Sequence, residues 1–270
     1  MDLATQPLNK PKRRNAYYWR LLATACSFAL FGLGGLCLRL LVFPLLACLP
    51  GDPAVRGRRA RVVVSRLFWL FIRFMARAGV LTYEVQGAHK LGRPGQMIIA
   101  NHPSLIDVVF LIGLVRGANC VVKQTLWQNP FTHGAVRATG YVSNDGSLDM
   151  LDNAAAALQD GQSLILFPEG TRTPPGQAPA FHRGGAAIAL RGARVLTPVI
   201  ITVTPSTLTK AEPWYRIAAR RPHFSFRVGA DIDPQAFAAQ GHAPQASRKL
   251  NDHLHHYFNK ELALDEQPQH

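Results

Sequence analysis

Residues 96–107 read QMIIANHPSLID, an apolar run that ends at two polar residues and a proline and is followed by a helix-like pattern. An apolar run this short, bounded by turn-forming residues, is typical of a buried strand. We therefore predict a strand over the apolar part and a helix near 104–116.

The same alternation continues along the chain. Other strand-like segments are LTYEVQG (81–87), NCVVK (119–123), SLILFPEG (163–170), VLTPVIITVT (195–204) and HFSFRVG (223–229), and helix patterns lie near 148–159 and 184–191. Strands that alternate with helices are typical of α/β layers. We predict an α/β fold: a layered domain over residues 81–264, with a central, largely parallel or mixed sheet, and a flexible tail at 265–270.

The N-terminal region predicts membrane association. Residues 21–38, LLATACSFALFGLGGLCL, contain no charge, and the apolar character resumes after Arg39. Runs of this length and uniformity are typical of membrane segments. We predict a basic tail at 1–20 and membrane-anchoring helices at 21–80. Arg39 and Pro44 indicate a break, so a bent or re-entrant segment and a simple span both stay open, and a cleaved signal peptide is a weaker alternative because the run is long.

The segment 62–80 repeats arginine at Arg66, Arg73 and Arg77, spacings that gather the guanidinium groups on one helical face among aromatic and aliphatic residues. This pattern is typical of a helix lying in a membrane interface. A core helix with a solvated arginine edge is the alternative.

The charge balance indicates an anionic partner. The chain has 30 Lys and Arg against 16 Asp and Glu, a formal net charge of +14. Much of this charge flanks the apolar segments and no nucleic-acid motif is visible, so lipid is favoured over nucleic acid. The four cysteines show neither metal-ligand spacing nor a disulfide framework.

The first candidate motif is the pair His102 and Asp107. If a helix begins near Ser104, the imidazole lies just before it and the carboxylate in its first turn. Such a pair suits general base catalysis, with the carboxylate fixing the imidazole tautomer. Ser104 and Asp107 also fit a simple helix-start pattern, which keeps a structural role open.

The second candidate motif, Phe167-Pro168-Glu169-Gly170-Thr171-Arg172, follows the strand SLIL, and Phe181-His182-Arg183-Gly184-Gly185 comes after it. A Pro, a Gly and a Thr make a tight turn whose backbone N–H groups are able to face an anion. Arg172 beside them is a forked phosphate binder. Both motifs follow strands, where α/β sheets place ligands.

Together these motifs resemble the glycerolipid acyltransferase superfamily, and within it the lysophosphatidic acid (1-acylglycerol-3-phosphate) acyltransferases. The resemblance extends to Lys123, to Phe181-x-x-Gly184 and to Thr197-Pro198-Val199, and covers roughly residues 82–205. One position departs from the family. Gly146 stands where the family carries an arginine that is thought to assist the phosphate of the acceptor.

The resemblance implies transfer of an acyl chain from acyl-CoA or acyl carrier protein to a lipid hydroxyl, in phospholipid biosynthesis, with no metal or cofactor. It makes His102 and Asp107 catalytic, and the acceptor-binding candidates are Glu169, Gly170, Thr171, Arg172, Lys123 and Arg183. The expected partners are membrane lipids, the acyl donor and a lysolipid acceptor, at the cytosolic face of the inner or cytoplasmic membrane. The alternatives are a different acceptor, such as a lyso-ornithine or specialised lipid, and a non-catalytic lipid-binding protein.

Overall fold

The structure is a computed structural model that describes residues 16–239 and 241–266. The α-helices of this part of the chain are α1 (Tyr17–Cys37), α2 (Phe43–Ala47), α3 (Pro53–Arg77), α4 (Asp107–Leu114), α5 (His133–Thr139), α6 (Leu148–Gln159), α7 (Gly184–Gly192), α8 (Gln235–Ala238) and α9 (Ala243–Glu266). The strands are β1 (Thr82–Gln86), β2 (Gln96–Ala100), β3 (Asn119–Lys123), β4 (Val142–Asn144), β5 (Leu164–Leu166), β6 (Val195–Thr204) and β7 (His223–Val228).

The seven strands form one sheet in the order β1-β7-β6-β2-β5-β3-β4. The β6–β7 pair is antiparallel and the other neighbours are parallel. The predicted α/β fold with a largely parallel or mixed sheet is therefore confirmed. The helix predicted near 104–116 is shorter, from Asp107 to Leu114, and residues 104–106 form a turn that leads into it.

Helices cover both faces of this sheet. On one face, α1, α3 and α4 pack over a core that includes Phe110, whose ring lies 4.6 Å from that of Phe226. On the other face, α6, α7 and α9 enclose a second core around Leu158, Leu250 and Phe258. Residues of α9 at a spacing of four supply this second core, which is the periodicity of an amphipathic helix.

The N-terminal helix does not break where the sequence indicated. Residues Tyr17–Ala47 form one continuous helix that passes through Arg39 as a π turn, Leu38–Val42. Pro44 follows this turn, so its missing N–H falls where the α-helical bonding pattern is already interrupted. The Arg39 guanidinium donates to the carbonyl of Pro130 at 3.1 Å. Among the described residues this is the one helix long and apolar enough to cross a membrane, and 11% of its most apolar 18-residue window is buried.

Helix α3 begins at Asp52, whose carboxylate accepts from the N–H of Val55 at 2.8 Å, and runs beside α4. Arg66, Arg73 and Arg77 are all exposed on it, beside exposed Leu70 and Phe74. The helix therefore presents a mixed basic and apolar face to the surroundings, and it buries its opposite face in the core.

The predicted domain boundaries stay predictions. Two of them can be compared with the ends of helices α1 and α9. Most of the basic tail at 1–20 lies outside the described residues, and α1 begins inside its last part, at Tyr17. At the other end, α9 continues to Glu266, past the predicted start of the tail at 265.

Candidate active site

The site lies at the carboxyl ends of four neighbouring parallel strands, β2, β5, β3 and β4. His102 follows β2, the Phe167–Arg172 turn follows β5, Lys123 ends β3 and Asn144 ends β4. Parallel strands bring their carboxyl ends to one edge of a sheet, which is where α/β folds bind ligands. The two motifs are thus adjacent because β2 and β5 are adjacent.

His102 and Asp107 form the pair that the sequence predicted. Nδ1 of His102 lies 3.1 Å from Oδ2 of Asp107, and the same oxygen accepts the backbone N–H of Ser104 at 2.6 Å. An ionised carboxylate only accepts hydrogen bonds, so Asp107 requires the imidazole proton of His102 to be on Nδ1. Nε2 then keeps its lone pair and is able to accept a proton. The pair is therefore arranged as a general base with its orienting carboxylate.

The carboxylate of this pair is shielded from solvent, whereas the imidazole is partly exposed. Asp107 has no exposed surface, whereas the His102 side chain is 17% exposed and its ring lies 4.4 Å from the ring of Phe167. Burial raises the pKa of Asp107, and its hydrogen bonds from His102 and from the Ser104 N–H oppose that rise. The exposed fraction of His102 faces a cavity, so a substrate hydroxyl is able to reach Nε2.

Glu169 lies behind His102 and is absent from the cavity wall. Its Oε1 accepts the backbone N–H of His102 at 2.8 Å, and its Oε2 is buried with no hydrogen-bond partner among the described residues. Burial raises the pKa of this carboxyl to about 7, although the hydrogen bond from His102 lowers it. The residue thus supports the backbone of His102, and the acceptor contact that the resemblance implies for it stays a prediction.

The other predicted acceptor residues divide into two groups. Gly170, Thr171, Arg172 and Lys123 line the cavity beside His102, whereas Arg183 is exposed at the start of α7 and is not part of the wall. Nη1 of Arg172 donates to the carbonyls of Leu208 and Thr209, both at 2.8 Å. One arm of the guanidinium therefore holds a loop in place.

Two residues of the cavity mouth were not among the predicted site residues. These residues are His182 and Asn144, which line the cavity and lie close to Gly170. A Cβ built on Gly170 would be 3.6 Å from Cδ2 of His182 and 3.9 Å from Nδ2 of Asn144. His182 stands inside the quoted Phe181–Gly185 segment, so a signal was present for it. Asn144 ends a three-residue strand that the sequence pattern did not reveal.

The cavity joins the site to the N-terminal helix. Its volume is about 720 Å³ and its wall is mostly apolar. Ser27, Phe28 and Phe31 of α1 form one side, together with Phe68 and Phe71 of α3. Asn101 supports the catalytic end by exchanging two 2.8 Å hydrogen bonds with the backbone of Ile201, which fixes β2 against β6. The space suits a long apolar chain with its reactive end at His102.

Across residues 16–239 and 241–266, no three His, Cys, Asp or Glu side chains are grouped so as to hold a metal ion. Cys120 is buried, and Cys26, Cys37 and Cys48 are exposed free thiols on the N-terminal helix and just after it.

Comparison with known proteins defines the class. Residues 82–202 match the family model described as Acyltransferase. The structure is similar to the crystal structure of the 1-acyl-sn-glycerophosphate acyltransferase PlsC from Thermotoga maritima, with a TM-score of 0.69, 18% identity, and coverage of 96% of this chain and 100% of that one. The fold is thus an acyltransferase fold with flanking helices around a mixed sheet.

Curated relatives agree with this class. A 1-acyl-sn-glycerol-3-phosphate acyltransferase of Pseudomonas aeruginosa is 26% identical over 189 residues, covering 68% of this chain and 70% of the relative. Enzymes of the same name from Saccharomyces cerevisiae (26% over 171 residues) and Homo sapiens (alpha form, 27% over 160) cover 60% and 55% of this chain. The chain spans about half the length of these last two, 54% and 55%. Residues 82–202 therefore match an acyltransferase family model, and the chain is similar to the 1-acyl-sn-glycerol-3-phosphate acyltransferases.

Proposed function

We propose that the protein transfers a fatty acyl group from acyl-CoA or acyl carrier protein to the hydroxyl of a lysolipid, with 1-acylglycerol-3-phosphate as acceptor and phosphatidic acid as product. The observation that carries the proposal is the His102–Asp107 pair, which opens onto an apolar cavity. The names of the related enzymes support this acceptor.

The proposed reaction needs only groups of this chain. Nε2 of His102 takes the proton of the acceptor hydroxyl as its oxygen attacks the thioester carbonyl, and Asp107 stabilises the imidazolium that forms. The C–S bond then breaks, and the leaving thiolate takes the proton from His102. Arg172 and Lys123, which line the cavity together with Thr171 and His182, supply cations for an anionic head group.

The proposed site of action is the cytosolic face of the inner or cytoplasmic membrane, where thioester donors are made. Tyr17–Ala47 is long and apolar enough to enter the bilayer, and the exposed arginines of α3 fit anionic lipid head groups. Because residues of α1 also line the cavity, a lysolipid in the membrane has a short path to His102.

A lysolipid other than 1-acylglycerol-3-phosphate is a second candidate acceptor, because of the residue at position 146. Gly146 lines the cavity where the family carries an arginine, so one charge-assisted contact to a phosphate is missing here. Such a contact is typically worth about 1.5–3 kcal/mol. We therefore include lyso-ornithine lipid and other lysolipids among the acceptors to be tested.

The test is a lysolipid panel with purified protein in detergent micelles. Each lysolipid is incubated with acyl-CoA or acyl carrier protein thioester, products are measured by mass spectrometry, and His102→Ala is the inactive control. We expect acyl transfer to 1-acylglycerol-3-phosphate with a kcat/KM no more than about tenfold above that of another acceptor. No transfer to any lysolipid with either donor would refute the proposed function.

A further inference from the structure

The loop at residues 205–222 joins β6 to β7 and has the composition of a membrane-interface segment. It carries Lys210, Arg216, Arg220 and Arg221 against Glu212, so its formal charge is 4 − 1 = +3. Trp214 and Tyr215 lie in the same loop and are 42% and 58% exposed. Tryptophan and tyrosine are enriched at membrane interfaces, where cations meet lipid phosphates.

The cations of this loop are available to a partner. All four are exposed, and Arg216 has a weak 3.8 Å ion pair with Glu212. Within the described part of the chain, Lys210, Arg220 and Arg221 have no carboxylate at ion-pair distance. A basic surface that the protein itself does not neutralise fits an anionic surface outside it.

The loop is continuous with the N-terminal helix. The ring of Trp214 lies 5.7 Å from that of Phe28, and the buried guanidinium of Arg20 donates to the carbonyls of Ala219 and Arg220 at 2.8 and 3.0 Å. The 57% exposed Trp19 lies one residue before Arg20 and donates to the carbonyl of Ala78. The exposed aromatic surface at the start of α1 therefore extends onto the loop.

The loop also contacts the active site. The carbonyl of Leu208 accepts both the Arg172 guanidinium at 2.8 Å and the N–H of Leu105 at 3.1 Å, and Leu105 lies between His102 and Asp107. Phe28, which Trp214 contacts, lines the cavity. A displacement of the loop would therefore change the position of both the catalytic turn and the cavity wall.

We propose that residues 205–222 form a second membrane contact, in which Trp214 and Tyr215 enter the interface and the four cations bind anionic lipid head groups. This contact holds Arg172 and the His102–Asp107 turn in their catalytic arrangement when the protein is on a bilayer. The proposal rests on the proposed membrane association of α1, and it goes beyond the acyl transfer itself.

The first experiment measures the depth of the loop in the full chain. The protein is reconstituted into vesicles of phosphatidylcholine and phosphatidylglycerol, and quenching of tryptophan emission by brominated phosphatidylcholine is compared for wild type, Trp214→Phe and Trp19→Phe. We expect both variants to lose part of the quenched emission. Loss in Trp19→Phe with none in Trp214→Phe would overturn the loop contact while leaving the membrane contact of α1 in place, and loss in neither variant would overturn both.

The second experiment measures the dependence of activity on lipid charge. We compare Lys210→Gln/Arg221→Gln with Arg248→Gln/Lys260→Gln, a control pair that removes the same charge from exposed positions of α9 on the other face of the sheet. The ratio of kcat/KM on vesicles with phosphatidylglycerol to that on phosphatidylcholine alone should fall about fivefold in the loop pair and stay unchanged in the control.

Three results would overturn the loop contact. The first is equal behaviour of the loop pair and the control pair. The second is an equal loss of activity in vesicles and in detergent micelles, which would assign the loop a structural role. The third is a rise in KM for acyl carrier protein thioester with unchanged dependence on lipid charge, which would assign the loop to docking of an acidic protein.

Discussion

The backbone N–H of His102 donates to Oε1 of Glu169 at 2.8 Å, which links the two motifs of the site through a buried carboxyl. The other oxygen, Oε2, is buried and has no hydrogen-bond partner within residues 16–239 and 241–266. A carboxyl in such a setting disfavours its charged form. This explains why burial raises its pKa to about 7, and it makes the protonation of Glu169 a property that stability measurements can detect.

We expect the wild-type protein to lose stability as pH rises from about 4.5 to 7. In this window Glu169 has lost its proton in the unfolded state and keeps it in the folded state. The folded state therefore binds more protons, and its stability falls as pH rises. The loss attributable to Glu169 is about 3 kcal/mol in the free energy of unfolding. Thermal denaturation in detergent across this range, with Glu169→Gln as the matched variant, measures it. A Glu169→Gln curve that falls as steeply as wild type would contradict the assignment.

Replacement of His102 by Ala should reduce kcat about 10²- to 10⁴-fold, because a positioned base contributes that much. Asp107→Asn should also lose activity, since an amide in place of the carboxylate no longer fixes the proton on Nδ1. Activity assays in micelles, with circular dichroism and membrane sedimentation as controls for folding and association, check this. Wild-type turnover by purified His102→Ala would exclude the proposed base.

A cation placed at the end of β4 should raise selectivity for an acceptor phosphate. The position of the family arginine, Gly146, has a φ of +77°, where any other residue is strained by about 1–2 kcal/mol. Asn144 is exposed, lines the cavity and faces Gly170, so Asn144→Arg avoids that strain. We expect kcat/KM for 1-acylglycerol-3-phosphate to rise about tenfold relative to a neutral lysolipid. Asn144→Gln is the uncharged control, and an equal change in both variants would argue against an electrostatic cause.

Docking of α1 can be tested with two adjacent glycines. A Cβ on Gly35 would lie 2.5 Å from the carbonyl oxygen of Phe131, whereas a Cβ on Gly34 meets nothing within 4 Å. Gly35→Ala must therefore push α1 away and should cost about 1–3 kcal/mol, while Gly34→Ala should be neutral or stabilising by up to about 1 kcal/mol. Melting temperature and the ratio of kcat/KM for long and short acyl donors are the measurements. Indistinguishable variants would show that α1 does not dock as described.

Sequence patterns predicted the central part of the sheet well because those strands are continuous apolar runs. The QMIIA and LIL runs became β2 and β5, and the adjacency of those strands brought His102 and the Phe167–Arg172 turn together. The polar end of the cavity was harder to predict from the sequence. It depends on β4, whose three residues carry too little pattern, and on the pairing of β4 with β3, which is a long-range property.

Two further features depend on tertiary contacts. Glu169 stays a predicted acceptor residue, but its Oε1 accepts the backbone N–H of His102, a contact that no local sequence pattern shows. The helix over Tyr17–Ala47 continues through Arg39, which lies in the π turn, and past Pro44. The Arg39 guanidinium donates to the carbonyl of Pro130, on the segment before α5. In both cases a distant backbone group decided the outcome.

The shared wall of the cavity has a consequence for the biogenesis of the protein. Ser27, Phe28 and Phe31 enclose a compartment whose remaining walls are made later in the chain. Synthesis delivers α1 first and the strands that bear the catalytic groups afterwards, so the compartment is complete only when the finished domain packs against α1. We expect a newly made chain whose α1 has not yet packed against the domain to bind no fatty acyl chain.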